Sequence, residues 1–310
     1  MKRRRPLPTD LQVGSILAQR NFPLSPKETE KLSHAEKGYL GEVNFDNWLL
    51  EDLPDNWYVL HDLWLTAKDS TLQIDSLVIT PKDIFLFEVK NYSGSYFLEG
   101  DRLLTESQYE IKNPHIQLKR TETLLRQLLL NQFGKATPTI KSYVCFINPD
   151  FYLYNAPLNA PHFLFCSLLK KFKKNMVKEH SQSFNKNRNI CDFLLNSQLI
   201  KSPFKPTFEY NINHLTKGIV CYNCNEVFTP HVRKARYLFC PECNFQENWS
   251  SAIVRAVEEY MILFPEKKIT SREIATWCAV PSSRSIRFVL KKFYRKNENF
   301  GNTYYTKITE

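Results

Sequence analysis

The chain has 310 residues, 43% hydrophobic and 24% charged, the composition of a globular protein with room for two or three domains and a sizeable core. Forty-two Lys and Arg against 32 Asp and Glu leave a net charge of +10, which favours a polyanionic partner, nucleic acid first. Only 8 glycines, with neither G-x-G-x-x-G nor G-x-x-x-x-G-K-[ST], argue against a nucleotide cofactor, and apolar runs far short of about 20 residues argue against a membrane span.

Residues 1–34 hold a basic cluster and several prolines and read as a mobile N-terminal arm. The start Met1-Lys2-Arg3-Arg4-Arg5 lacks the apolar segment of a signal peptide, so a cytoplasmic location is expected. Ser33-His34-Ala35-Glu36 has capping-box form and predicts a helix carrying Leu40, Val43, Trp48 and Leu50, with Glu42 immediately after Gly41. A strand follows around Trp57-Tyr58-Val59-Leu60.

Leu72–Ile79 and Ile84–Lys90 are rich in β-branched and aromatic residues, and Thr80-Pro81-Lys82-Asp83 joins them with turn chemistry. A hairpin centred between Pro81 and Lys82 puts Asp75 directly across from Glu88. Like charges so placed, roughly 4.5–5.5 Å apart, are destabilising and need a cation between them. Lys90 projects from the same face as Glu88 by the period of two. Both strands are otherwise apolar on both faces, as in a sheet covered on two sides, where an acid pair is costly without a partner. Two acids able to share a divalent cation, beside an ammonium, are the minimum equipment for metal-assisted phosphodiester hydrolysis.

Asn113-Pro114 supplies an N-cap and a first-turn proline. The helix predicted from Pro114 to about Leu130 has Gln117, Thr121, Leu124 and Leu128 on one face. Ser142–Ile147 and Pro161–Cys166 read as two buried strands. Helix, three strands, helix and two strands over residues 35–166 describe an α/β core, a mixed sheet with helices packed on it. Residues 167–218 read as a basic helical connector, its lysines either a solvated face or a strip that grips phosphates nonspecifically.

Cys221-x-x-Cys224 and Cys240-x-x-Cys243 lie 15 residues apart, the two-knuckle spacing of a structural zinc site, here a zinc ribbon over residues 219–248. Four sulfurs leave Zn²⁺ no open position for chemistry. Disulfide or redox pairing is disfavoured in a cytosolic chain. Residues 249–310 read as a helix-turn-helix with a small β-wing: Ser251 to Leu263, a helix capped by Thr270 or Ser271, a break at Ala279-Val280-Pro281-Ser282, and a third helix whose Ser283, Arg284 and Arg287 would face a DNA groove.

Gly41-Glu42, Gln73-Ile74-Asp75, Glu88-Val89-Lys90-Asn91-Tyr92-Ser93-Gly94 and Asn113-Pro114-x-x-Gln117 together resemble the nuclease-related domain, NERD, of the PD-(D/E)XK nuclease superfamily. The resemblance covers about residues 35–150, and NERD, zinc ribbon and C-terminal helical domain together look like an architecture found in bacterial proteins. It implies a restriction-endonuclease-like mixed sheet flanked by helices, followed by the ribbon and a winged-helix-like domain. It further implies Mg²⁺ or Mn²⁺ on Asp75 and Glu88, aided by the Val89 carbonyl and Glu42. Lys90 would orient water or stabilise phosphate charge, and Gln117 would position the site or the substrate backbone. Ser76 departs from the family, where many members carry histidine after the aspartate, and alternation points it away from Asp75. The expected function is a metal-dependent DNA nuclease acting on duplex DNA; the alternatives are a non-cleaving DNA-binding scaffold on a nuclease fold, and an RNA substrate.

Overall fold

The computed structural model describes residues 5–67, 69–157, 162–180, 186–199, 208–230, 236–299 and 302–308. In chain order the elements are helices α1 (Thr9–Gln19) and α2 (Pro26–Leu50), then strands β1 (Tyr58–Ala67), β2 (Ser70–Ile79), β3 (Asp83–Lys90), β4 (Gly94–Glu99), β5 (Arg102–Thr105) and β6 (Glu110–Ile111). Next come α3 (Pro114–Phe133), β7 (Thr139–Phe146), β8 (Phe151–Tyr154), β9 (Phe163–Phe165), α4 (Leu169–His180) and α5 (Arg188–Asn196). The C-terminal part holds β10 (Ile219–Val220), β11 (Val227–Phe228), β12 (Tyr237–Phe239), β13 (Gln246–Asn248), α6 (Trp249–Leu263), α7 (Ser271–Trp277), α8 (Ser283–Phe293), β14 (Arg295–Asn299) and β15 (Asn302–Thr306). Two compact units divide the chain: Met1–Leu7 with His34–Lys205, and Pro8–Ser33 with Pro206–Glu310.

The first unit is built on a mixed sheet of order β1-β2-β3-β7-β9, antiparallel from β1 to β3 and parallel from β3 to β9. The hairpin register is the expected one, with Ser76 across from Phe87 and Ile79 from Ile84. One face of the sheet packs Leu77, Ile79, Ile84 and Leu86 against Leu118, Leu125 and Leu129 of α3 and Ile190 and Leu194 of α5. The other packs Val78, Phe85 and Phe87 against Phe45 and Leu49 of α2 and Leu169 and Met176 of α4. With apolar layers on both sides, any charge on β2 or β3 is held away from bulk water. A smaller sheet, β6-β5-β4-β8, goes beyond the predicted elements.

Several expectations are corrected. Residues 1–34 were expected to be a mobile arm; instead Thr9–Gln19 is helical because Leu11, Val13, Ile16 and Leu17 form a buried stripe, and Arg5 is buried. Residues 1–4 of that segment lie outside the described residues. The helix expected to open at Ser33 already runs from Pro26. Its start is a capping box one stretch earlier: the Glu28 amide donates to Ser25 Oγ at 3.3 Å, and the Ser25 amide donates to Glu28 Oε2 at 2.8 Å. The basic stretch after residue 167 is not a separate connector, because α4 and α5 bury Leu169, Met176, Ile190 and Leu194 in the two apolar layers of the sheet. Its Lys170, Lys171, Lys174 and Lys178 are exposed, while Lys201 and Lys205 lie outside the described residues.

In the second unit α6, α7 and α8 pack around Ala256, Val257, Tyr260, Ile274, Trp277, Ile286 and Val289, joined by Val13 and Leu17 of α1. Thr270 caps α7 by accepting from the Glu273 amide, and Ser282 caps α8 by accepting from the Arg284 amide. The β14–β15 hairpin follows α8; the wing expected over residues 299–306 begins earlier, at Arg295, which pairs with Thr306. No helix among the described residues is long and apolar enough to cross a membrane.

At the start of β3, Asp83 Oδ2 lies 2.7 Å from Lys141 Nζ and 2.8 Å from His180 Nε2. Burial alone would raise this carboxyl, but Lys141 and His180 outweigh it and hold it below its ordinary value. A depressed carboxyl stabilises the fold above its unfolded pKa of about 4 and loses that contribution as pH falls through the folded value. Asp83→Asn should therefore cost about 1–3 kcal/mol at pH 7, with the gap to the parent narrowing by about pH 3, as read by urea denaturation at both pH values.

Candidate active site and cysteine cluster

Asp75 in the middle of β2 and Glu88 near the end of β3 are 6% and 3% exposed. The ladder stops at Ser76–Phe87, one step short of the expected Asp75–Glu88 pair. There the Asp75 side chain takes over, accepting the Val89 amide on Oδ2 at 2.8 Å. That bond fixes the carboxylate where the β2–β3 ladder ends, close to Glu88. Lys90 Nζ lies 2.7 Å from Glu88 Oε1, a buried ion pair.

The electrostatics follow from burial and from acids facing acids. Burial, then repulsion from Asp75, pushes Glu88 up to about 8. Burial and then Asp75 also push Glu42 up to about 8. Asp75 itself is raised by burial in spite of Lys90 and the Val89 amide. Burial would lower Lys90, but Glu88 and Asp75 prevail and raise it, so its ammonium keeps its charge.

Glu42 comes to the site from α2, and glycine is what lets the helix approach. A Cβ on Gly41 would lie 2.4 Å from Asn91 Cβ, in the loop after β3. Asn91 in turn donates to the Lys37 carbonyl at 2.8 Å, and Lys37 Nζ donates to Ser93 Oγ at 2.7 Å. Thus Gly41-Glu42 and Glu88-x-Lys90-Asn91 are one packing unit in space.

Sequence reasoning missed a second set of groups behind β2. Arg5 Nη1 donates to Glu42 Oε2 at 2.7 Å, Nε and Nη2 donate to Asp46, and Nη2 also donates to the Asp75 carbonyl at 2.7 Å and to Ser76 Oγ at 3.1 Å. His61, paired with Ser76 across β1 and β2, places Nδ1 2.9 Å from Asp46 Oδ1. Asp46, one helical turn after Glu42, was findable from that i,i+4 spacing; no local pattern links residue 5 to residue 75.

Gln117 does not join the acids. It is exposed on α3, whose buried face is Leu118, Thr121, Leu125 and Leu129 rather than Gln117, Thr121, Leu124 and Leu128. The paired leucines at 124–125 and 128–129 make either phase plausible in the sequence; Pro114 and Leu118 settle it.

The four cysteines do converge. Cys221, Cys224, Cys240 and Cys243 place their sulfurs all within 4.8 Å of one another, with Cys221–Cys243 and Cys224–Cys240 at 3.6 Å. Each pair sits in a tight turn of its own hairpin, β10–β11 or β12–β13, closed by an asparagine at positive φ, Asn225 or Asn244. A tetrahedral ion with bonds of about 2.3 Å to sulfur requires sulfurs roughly 3.8 Å apart, so the cluster can hold a metal. Among the described residues the acids form no comparable group of three.

Ser283, Arg284 and Arg287 lie at the start of α8, Ser283 half-buried and both arginines exposed, with Ile286, Val289 and Leu290 turned into the core.

Residues 37–147 match the family model described as the nuclease-related domain, NERD. Glu42, Asp75, Glu88, Lys90 and Gln117 fall inside that span, and the four clustered cysteines and α8 outside it. No curated protein and no solved structure matches the chain. The matched span holds most of α2, strands β1 to β7 and α3; the rest of the mixed sheet and the four-cysteine cluster follow it.

Two glycines of α2 test the packing argument against each other. Gly38 has open space where a Cβ would go, so Gly38→Ala should stabilise by about 0.5–1 kcal/mol through helix propensity. Gly41→Ala should destabilise by about 1–3 kcal/mol through overpacking. Chemical denaturation of the two variants should give opposite signs.

Proposed function

We propose that the chain is a cytoplasmic, divalent-metal-dependent deoxyribonuclease. The observation that carries this reading is the buried Asp75–Glu88 pair with the Lys90 ammonium against Glu88, inside a nuclease-related domain. Asp75 and Glu88 would hold Mg²⁺ or Mn²⁺, with the Val89 carbonyl and Glu42 in support. The donors fit: they are hard oxygens, Mg²⁺ needs only one or two carboxylates beside its waters, and Asp75 and Glu88 are buried carboxyls close enough to repel each other. When bound, the ion polarises a phosphoryl oxygen and makes its water a stronger acid.

The protein's own groups do the rest. The Val89 amide fixes the Asp75 carboxylate, and the Glu88 and Asp75 charges hold Lys90 protonated. An ammonium in this partly water-excluded place stabilises charge that builds on the phosphate. Gln117, exposed on α3, positions the nucleic-acid backbone.

DNA affinity is assigned to the second unit. The four-cysteine ribbon carries structural Zn²⁺, and α8 presents Ser283, Arg284 and Arg287 to a groove of the duplex. Arg284, Arg287 and the exposed Lys291 follow one helical stripe, opposite the core face.

Purified protein is incubated with plasmid, linear and single-stranded DNA and with RNA, plus Mg²⁺ or Mn²⁺. Asp75→Ala and Lys90→Ala should each lower DNA cleavage by about 10²-fold or more while leaving duplex binding intact. A parent that binds duplex but cuts none of these substrates would overturn the assignment. In fluorescence anisotropy, Arg284→Ala with Arg287→Ala should weaken duplex binding and reduce its salt slope by roughly 2. Elemental analysis should find zinc in the parent, and Cys224→Ser should lose both the zinc and the cooperative melting of the ribbon.

A further inference from the structure

Arg5 spends its whole guanidinium on the acid site. The side chain is 2% exposed, against 22% for its partner Glu42. A merely structural role would be complete with the fork from Nε and Nη2 onto Asp46, at 2.9 and 3.1 Å. The remaining donors go elsewhere. Nη1 reaches the Glu42 carboxylate on α2, and Nη2 reaches the Asp75 carbonyl on β2, both at 2.7 Å. Two acids from different elements are thereby tied to one rigid plane.

The arrangement is not that of a cation occupying the Asp75–Glu88 site. Arg5 bonds the carbonyl of Asp75, and the Asp75 carboxylate bonds the Val89 amide. On the other side Ser76 Oγ accepts from Nη2 and donates to Asp46 Oδ1 at 3.0 Å. The guanidinium therefore sits behind the strand that carries Asp75. From there it commits Oε2 of Glu42 and sets that carboxylate's orientation toward the same strand.

We propose that Arg5 is a positioning residue of the acid site: it locks Glu42 on α2 against β2 at Asp75, so that the N-terminal segment is part of the metal-binding apparatus. This rests on the reading of Asp75 and Glu88 as metal ligands given above. The planar fork matters as well as the charge, because a lysine ammonium cannot reach Glu42, Asp46 and the Asp75 carbonyl in one plane.

The test uses the full-length, zinc-loaded chain, with Mn²⁺ binding measured by titration calorimetry and Asp75→Asn as the blank for the acid site. Arg5→Ala should weaken Asp75-dependent Mn²⁺ binding about tenfold or more, and lower kcat on DNA with KM little changed. Arg5→Lys should recover part of both. Thermal unfolding separates these effects from loss of fold. A folded Arg5→Ala with parental Mn²⁺ affinity and kcat overturns the proposal; if Arg5→Ala does not fold, full parental values in Arg5→Lys overturn it instead. Asp75-dependent Mn²⁺ binding in a parent that cuts nothing refutes the nuclease assignment, while Arg5 is still judged on affinity. Absence of any Asp75-dependent Mn²⁺ binding refutes both.

Discussion

The first unit is organised around acids that cannot be left alone. Ionised, Glu42, Asp46, Asp75 and Glu88 carry four negative charges, and Arg5 and Lys90 carry two positive, which leaves a balance of −4 + 2 = −2. Isolated buried charge is among the most expensive features a fold can hold. Protons are one remedy, and Glu42 and Glu88 at about 8 show their oxygens inclined to take them. A divalent cation is another, of matching magnitude. Protons and metal would compete for the same oxygens, so the burial that raises the carboxyls also makes a cation welcome.

The scaffold supplies what such a cluster needs, which is rigidity without water. Apolar layers on both faces of the sheet hold β2 and β3 in place, and the register of the hairpin brings Asp75 and Glu88 to the same end of it. From there β3 runs into the loop that receives α2. The contact between Gly41 and Asn91 lets the helix come close enough to deliver Glu42, and Asp46 follows on the next turn. A side chain at position 41 would move both acids at once. Helix, strand and loop thus form one device whose tolerance is set by a missing methyl group.

What was legible in the sequence was local. Thr80-Pro81-Lys82-Asp83 fixed the turn and with it the register, Asn113 with Pro114 fixed the start of α3, and the cysteine spacing marked two knuckles. Each depends on residues a few positions apart. The misreadings arose where local signals were equivocal or absent. Paired leucines in α3 admitted two phases, and Ser33 mimicked a cap that Ser25 provides. Of the smaller sheet only the parallel β4–β8 pairing spans a long interval; β4 and β5 meet across the two-residue turn Gly100-Asp101, a local signal carried by strands too short to stand out. Arg5 lies 70 positions from Asp75, its partner through the carbonyl, and nothing in a basic, proline-containing stretch distinguishes an arginine that will be buried from one that will not.

On the nuclease reading, the charge that prepares the site for metal also sets a problem with the substrate. With its carboxylates ionised, the cluster carries two uncompensated negative charges and repels a phosphodiester, and close approach of DNA becomes favourable once a cation has reversed that field. Attraction at longer range must come from elsewhere in the chain. The exposed lysines of α4 and the arginines of α8 carry part of the net charge of +10 that supplies it. Nothing in the acid cluster reads a base edge: its groups are carboxylates, an ammonium and a guanidinium held behind a strand. Any preference among DNA sequences therefore has to be exerted by other surfaces, while the cluster itself distinguishes substrates only by the phosphate backbone they share. Separate surfaces for attraction and hydrolysis follow from the physics, because one pocket cannot be acidic enough to take up a divalent cation and basic enough to draw in DNA.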